Sequence, residues 1–153
     1  MAYFKKSQKK VNGKWYPQGV TIGKPVQTKE VANRLADLSA LSPGDTYSML
    51  GNLGKVLGEF MNSGRTVKLD GVGTFYYTPN TQGQGVDTPE EVSAKQIIGT
   101  RVRFIPEVGR SVSGQVSTRS LVSSDVFWEE LDVNASASSG GGEAEDGDDN
   151  PLG

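Results

Sequence analysis

Asn62-Ser-Gly-Arg-Thr-Val-Lys-Leu-Asp-Gly-Val-Gly-Thr-Phe75 decides the reading of this chain, because a helical pattern stops inside it and a strand pattern begins. Gly64 stands where a left-handed residue ends a helix. Val67 and Leu69 then alternate with Thr66 and Lys68, the period of a half-buried strand. Asp70-Gly71 interrupts that run, and Val72-Gly-Thr-Phe-Tyr-Tyr-Thr78 resumes it through a glycine-rich bend.

Upstream, Ser42 reads as an N-cap, Pro43 suits the first helical turn, and Asp45 is placed to meet orphan amides or to return a capping-box bond. Met49 or Leu50, Leu53, Leu57 and Phe60 or Met61 give one apolar face, so a helix is expected over about 43–63. Gly51, Gly54 and Gly58 lie inside it, each costing up to about 1 kcal/mol relative to alanine. Either they allow close packing or they face solvent. An earlier helix, about 29–39, follows from Val31, Ala32, Leu35 and Leu38, with the Thr28 hydroxyl as its cap. Before it, residues from about Tyr3 to Ile22 read as a strand or hairpin turning at Asn12-Gly13, a pair suited to a two-residue turn, with Pro17 and Pro25 limiting its regularity.

Downstream, Asn80 to Glu91 is poor in apolar residues and reads as an exposed loop or the tip of a β-arm. Thr100-Arg-Val-Arg-Phe-Ile105 alternates and returns as a strand. Pro106 ends it, and a short helix is expected over about 107–117. Val126, Phe127, Trp128 and Leu131 form a last apolar cluster, expected to dock as a helical turn or a strand. Residues 134–153 offer almost nothing to bury against an ordering cost of about 1–2 kcal/mol per residue, so they are expected to be a disordered acidic tail. The expected layout is one α+β domain over 1–133, including an N-terminal extension 1–25, followed by that tail.

Seven lysines and no acid lie in residues 1–29, nine bases and nine acids in 30–124, and nine acids without a base in 125–153. The formal net charge of −2 therefore conceals a basic end and an acidic end. No cysteine or histidine is present, which excludes disulfides, thiol chemistry, imidazole bases and the usual zinc sites. The carboxylates show no convincing catalytic pairing, and Gly71-Val-Gly73 is too short to be a phosphate loop. No enzyme activity, cofactor, metal or small-molecule substrate is expected. No run of 18 apolar residues or leader-like segment occurs, so no membrane association is expected and the cytoplasm is the expected compartment.

The order helix, helix, strand, strand, exposed segment, strand, short helix, together with Gly64-Arg-Thr-Val-Lys-Leu-Asp-Gly-Val-Gly-Thr-Phe75, resembles the HU and integration host factor family of bacterial histone-like proteins. The resemblance begins near Thr28-Lys-Glu-Val-Ala-Asn-Arg-Leu-Ala36, has a second anchor in Phe104-Ile-Pro-Glu-Val-Gly-Arg110, and extends to about Val116. With its added N-terminal segment the chain is similar to the extended HU-related proteins of Bacteroidetes-type bacteria. The resemblance implies an HU-like α+β fold: two helices, a three-stranded antiparallel sheet with a β-arm, a short C-terminal helix, and an intertwined homodimer. It also implies a nucleoid-associated protein that holds double-stranded DNA by its backbone and minor groove and bends it. Family arms are rich in Arg and Lys and end in an Arg-Asn-Pro tip. Here Thr78 to Ala94 contains no basic residue, and Pro79 and Pro89 stand outside that motif.

The residues expected to meet phosphate are Lys68 beside the bend, Lys95, Arg101 and Arg103 on the return strand, and Arg110 at the start of the last helix. Arg101 and Arg103 share a strand face by the period of two. Lys5, Lys6, Lys9, Lys10 and Lys14 form a second basic set interleaved with Tyr3, Phe4, Trp15 and Tyr16. Phe4 and Trp15 are expected to dock the hairpin, with the lysines outward. The acidic tail either competes with phosphate for these basic surfaces or keeps the assembly soluble. The competing reading of the whole is a structural or protein-interaction module on the same scaffold, its neutral arm contacting protein.

Overall fold

The computed structural model describes residues 1–131, so the acidic stretch 134–153 lies outside the described residues. Along the chain run β1 (Ala2–Gln8), β2 (Trp15–Val20), α1 (Thr28–Ser39), α2 (Pro43–Asn62), β3 (Val67–Leu69), β4 (Gly73–Thr81), β5 (Ile97–Pro106), β6 (Val108–Arg110), β7 (Val116–Arg119) and β8 (Trp128–Glu130). Two compact units result: Met1–Gly23 with the described residues from Asp125 onward, and Lys24–Ser124.

In the first unit the strands lie in the order β2-β1-β8, with β2 antiparallel and β8 parallel to β1. The β1–β2 connection is longer than the two-residue Asn-Gly turn expected. Gln8 pairs with Trp15, Lys9 N–H donates to the Lys14 carbonyl at 2.9 Å, and Gly13 alone takes a positive φ, 67°. A tight turn of the kind that pair favours needs positive φ at both central residues. Instead Asn12 Oδ1 accepts the Lys14 N–H at 3.1 Å and its Nδ2 donates to the Tyr16 hydroxyl at 2.9 Å. The apolar cluster at 126–131 becomes β8. Ala2 N–H donates to the Phe127 carbonyl and Leu131 N–H to the Phe4 carbonyl, both at 2.8 Å.

In the second unit α1 and α2 pack together. The expected Thr28 cap is not made: Gln27 is the N-cap, without a side-chain bond, and Thr28 is already helical. Ser42 caps α2 as expected, its Oγ accepting the Asp45 N–H at 3.1 Å while its O–H donates to the Asp45 carboxylate at 2.6 Å. Ala32 and Ala36 are buried one turn apart with Met61, and their small side chains let the helices approach. Gly64, at φ 81°, ends α2 with its N–H on the Met61 carbonyl. Gly51 and Gly54 face open space, whereas a Cβ added at Gly58 would lie 3.8 Å from the Tyr77 hydroxyl, an ordinary contact.

The sheet β3-β4-β5 is antiparallel, with the Val67↔Phe75 and Phe75↔Phe104 rows on the same side. Phe75 and Phe104 stack with centroids 4.7 Å apart. Gly73 is required where it stands. At φ 155° it sits against the Ile105 carbonyl oxygen and the Phe104 ring edge, and a Cβ there would overlap both.

The short helix expected over 107–117 is not formed. Residues 108–119 make a hairpin, β6 against β7, closed by Ser111 N–H on the Gln115 carbonyl at 2.8 Å with Gly114 at φ 80°. Val108, Val112 and Val116 are β-branched, and two glycines and two serines lie among them, a poor composition for a helix. A Cβ added at Gly109 would overlap the Thr118 hydroxyl, so a larger residue there would require that side chain to shift.

Candidate nucleic-acid interface

Strand register assigns the basic residues to faces. Lys68 pairs with Thr74, Thr74 with Ile105, Tyr76 with Arg103 and Thr78 with Arg101. Directly opposed residues in an antiparallel ladder point to one side, and that side repeats every second residue. Lys68, Arg101 and Arg103 therefore share one face with Thr74, Tyr76 and Thr78, opposite the face that carries Phe75, Tyr77 and Phe104. Both arginines are exposed. Tyr76 was missed in the sequence, although its place in the alternation Thr74, Tyr76, Thr78 is the signal that locates it.

Lys68 is not isolated. Its Nζ lies 3.5 Å from Asp70 and 3.7 Å from Glu107. Asp70 is almost fully exposed, so its pairing is weak in water. Glu107 is the firmer partner: its carboxylate accepts the Gly71 N–H at 2.7 Å and the Ser120 hydroxyl at 3.0 Å. The Gly71 bond, then the Ser120 bond and Lys68, hold its carboxyl below the ordinary value of 4.5. Glu107 thereby ties the β3–β4 bend to the end of β7, a role with no local signal because its partners lie 36 and 13 residues away. A phosphate approaching Lys68 meets a cation already shared with two carboxylates.

The remaining residues are dispersed. Lys95 is exposed in the second of two short 3-10 turns, Pro89–Glu91 and Ala94–Gln96, within the loop joining β4 to β5. Arg110 lies in β6 and not at a helix start, and its guanidinium donates to the Gly114 carbonyl at 3.0 Å, bracing the hairpin. Lys5, Lys6, Lys9 and Lys10 belong to the first unit. Neighbours along β1, Lys5 and Lys6 point to opposite faces, and Lys6 meets Glu130 at 2.8 Å. Lys9 and Lys10 are exposed in the β1–β2 loop. Trp15 is 65% exposed and does not dock within its unit, while Phe4 is partly covered in a recess of about 400 Å³ with Pro17, Gly19 and Trp128.

The loop between β4 and β5 differs from a basic arm. Gln82 N–H on the Gln96 carbonyl at 3.0 Å closes it, and Ser93 and Gln96 form a capping box inside it. Pro79 is held in the ladder opposite Thr100. Pro79, Val86, Val92 and Ile97 line a concavity of about 640 Å³, and the loop carries Asp87, Glu90 and Glu91. Among the described residues no group of three or more His, Cys, Asp or Glu is placed to hold a metal ion, and no helix is long and apolar enough to cross a membrane.

A family model described as an HU domain fused to a wHTH, Ig or glycine-rich motif matches residues 3–121. A crystal structure from Bacteroides vulgatus ATCC 8482, of a protein described as a candidate bacterial DNA-binding protein, is similar at 13% identity and a TM-score of 0.46. That similarity covers 67% of this chain and 41% of the other, so the chain spans about two fifths of that protein's length. None of the curated proteins matches.

Proposed function

The chain belongs to the family of HU domains fused to a wHTH, Ig or glycine-rich motif, and from that premise we propose that it binds double-stranded DNA as a homodimer, without catalysis. Recognition is of backbone and minor groove, non-specific or weakly specific, and the setting is the nucleoid. The observation that carries the reading is the β3-β4-β5 register, which gathers Lys68, Arg101 and Arg103 on the sheet face turned away from Phe75 and Phe104. Phosphate neutralisation by such a face supplies salt-dependent affinity without any base contact. Lys95, Arg110 and the lysines of β1 and its loop are further contacts in this proposal.

The homodimer is supported by α2. Leu50, Leu57 and Met61 turn inward, but Met49, Leu53, Val56 and Phe60 form a second apolar stripe that is exposed in the single chain. A helix apolar on two sides needs a second surface to cover it. Ala32, Ala36 and Met61 are the buried apolar residues among those described, too small a core for about 100 residues.

Titration of a long duplex at several salt concentrations tests the reading. Arg101→Glu/Arg103→Glu is expected to weaken binding roughly tenfold or more at low salt and to lower the salt slope by about 2 per chain. Binding without a salt slope and indifferent to this charge reversal would favour the second reading, a protein-interaction module. The β4–β5 loop supports that alternative, since it joins three carboxylates to exposed Val86 and Val92.

A further inference from the structure

The β6–β7 hairpin, Val108 to Arg119, forms a two-stranded sheet of its own. Among the described residues no third strand pairs with it, every residue from Arg110 to Ser120 is exposed, and no acid occurs between Glu107 and Asp125. A bare two-stranded ribbon is marginally stable in water. Its net positive charge suits a polyanion as the surface that covers it.

Register places the two arginines together. Val108↔Arg119 and Arg110↔Val116 are opposed rows, so Arg110 and Arg119 share one face of the ribbon. Arg110 gives an N–H to the Gly114 carbonyl at 3.0 Å. Arg119 is exposed and makes no side-chain hydrogen bond or ion pair among the described residues, which leaves its whole fork of donors open.

The root of the ribbon adjoins the basic sheet face. Glu107 accepts the Ser120 hydroxyl at 3.0 Å and lies 3.7 Å from Lys68 Nζ, so the residue after Arg119 and the Lys68 end of that face meet at one carboxylate. Dimensions then select the groove. Neighbouring strands are about 4.8 Å apart, and a sheet with its side chains is about 10 Å thick. A minor groove about 6 Å wide excludes such a ribbon, whereas a major groove about 12 Å wide and about 8.5 Å deep admits it. From Val108 to the turn at Val112 the strand rise spans about 13 Å, enough to reach base edges.

We infer that the β6–β7 ribbon enters the major groove of DNA, and that Arg119 reads guanine there through O6 and N7. The inference rests on the DNA-binding reading above. It adds a base contact, and hence a preference for G·C pairs, that phosphate neutralisation on the sheet face does not supply.

Binding of the full chain to a G·C-rich duplex, and to the same duplex with every guanine replaced by 7-deazaguanine, tests it. The replacement removes the N7 acceptor from the major groove and leaves the phosphates and the minor groove unchanged. The ordinary duplex is expected to be bound about fivefold or more tightly, and Arg119→Ala to erase that difference. Arg119→Lys keeps the charge without the planar fork, so the salt slope should stay while the discrimination falls. Both variants change an exposed side chain that the fold does not bond. Equal, salt-dependent binding of the two duplexes by the unaltered chain overturns the inference and leaves the DNA reading standing. An Arg119→Ala chain that binds both more weakly yet still discriminates overturns it too, because Arg119 is then a phosphate contact. Binding to neither duplex at any salt concentration overturns both readings.

Discussion

The two halves of the β4–β5 excursion are built on opposite terms. At its base, Tyr76↔Arg103 and Thr78↔Arg101 are rows of a continuous ladder with basic side chains on the open face. At its end, the loop 82–96 leaves the ladder, folds on itself around Ser93 and Gln96, and carries Asp87, Glu90 and Glu91 against Lys95 alone. The contrast teaches that affinity and deformation are separable here. Under the proposed DNA-binding function the basic base would hold phosphate, while bending a duplex by insertion would need a tip that tolerates close approach to the polyanion. On this reading the protein grips DNA with the root of its arm and bends it less than a basic, proline-tipped arm does.

The largest effect is expected at the base. Gly73→Ala forces a Cβ onto the Ile105 carbonyl and the Phe104 ring, and should destabilise the fold by about 3 kcal/mol, read as a lowered denaturation midpoint. Next, Glu90→Lys/Glu91→Lys should raise duplex affinity up to about tenfold at low salt and steepen the salt slope. An unchanged slope would mean that the loop never reaches DNA, which breaks the comparison in favour of a protein-facing tip. Gly83→Ala is the loop counterpart of the first change: φ is 67° but nothing lies within 4 Å of the added carbon. Strain without overlap should cost about 1 kcal/mol and leave the ladder intact.

Glu107→Gln should produce the smallest shift, and one that depends on pH. The folded carboxyl titrates below its ordinary value of 4.5, so its stabilising contribution is complete above that value and is lost as pH falls through the lower folded value. Thermal melts of the two proteins should therefore differ at neutral pH and converge in acid. A constant difference across that range would show that the Gly71 and Ser120 bonds do not depend on the charge.

Features set by a few adjacent residues were legible in the sequence. Ser42 caps α2, Gly64 ends it, and Gly73 opens β4 because each answers a local demand of the backbone. Thr28 was a poorer guide, since a hydroxyl near a helix start does not say which residue leaves helical dihedrals first. Arg101 and Arg103 were placed together by their spacing, but adding Lys68 to their face needed the register of three strands. Arg110 was assigned to a helix because Pro106 and the resemblance suggested one, against the turn chemistry of Ser111-Val-Ser-Gly114. The parallel pairing of β8 with β1 had no local signal, because its partners are more than a hundred residues apart.

That pairing also sets an order of events during synthesis. β1 is the middle strand of its sheet, yet β8 is made roughly 110 residues after β2, a wait of about 5–20 s at ordinary translation rates. For that interval the first unit is a two-stranded ribbon of marginal stability with one side of β1 unpaired. An unpaired strand edge invites pairing with other nascent chains, and lysine is the residue that best discourages it. Lys5 and Lys6 within that strand, and Lys9 and Lys10 just beyond it, thus guard the emerging chain until its partner strand is made.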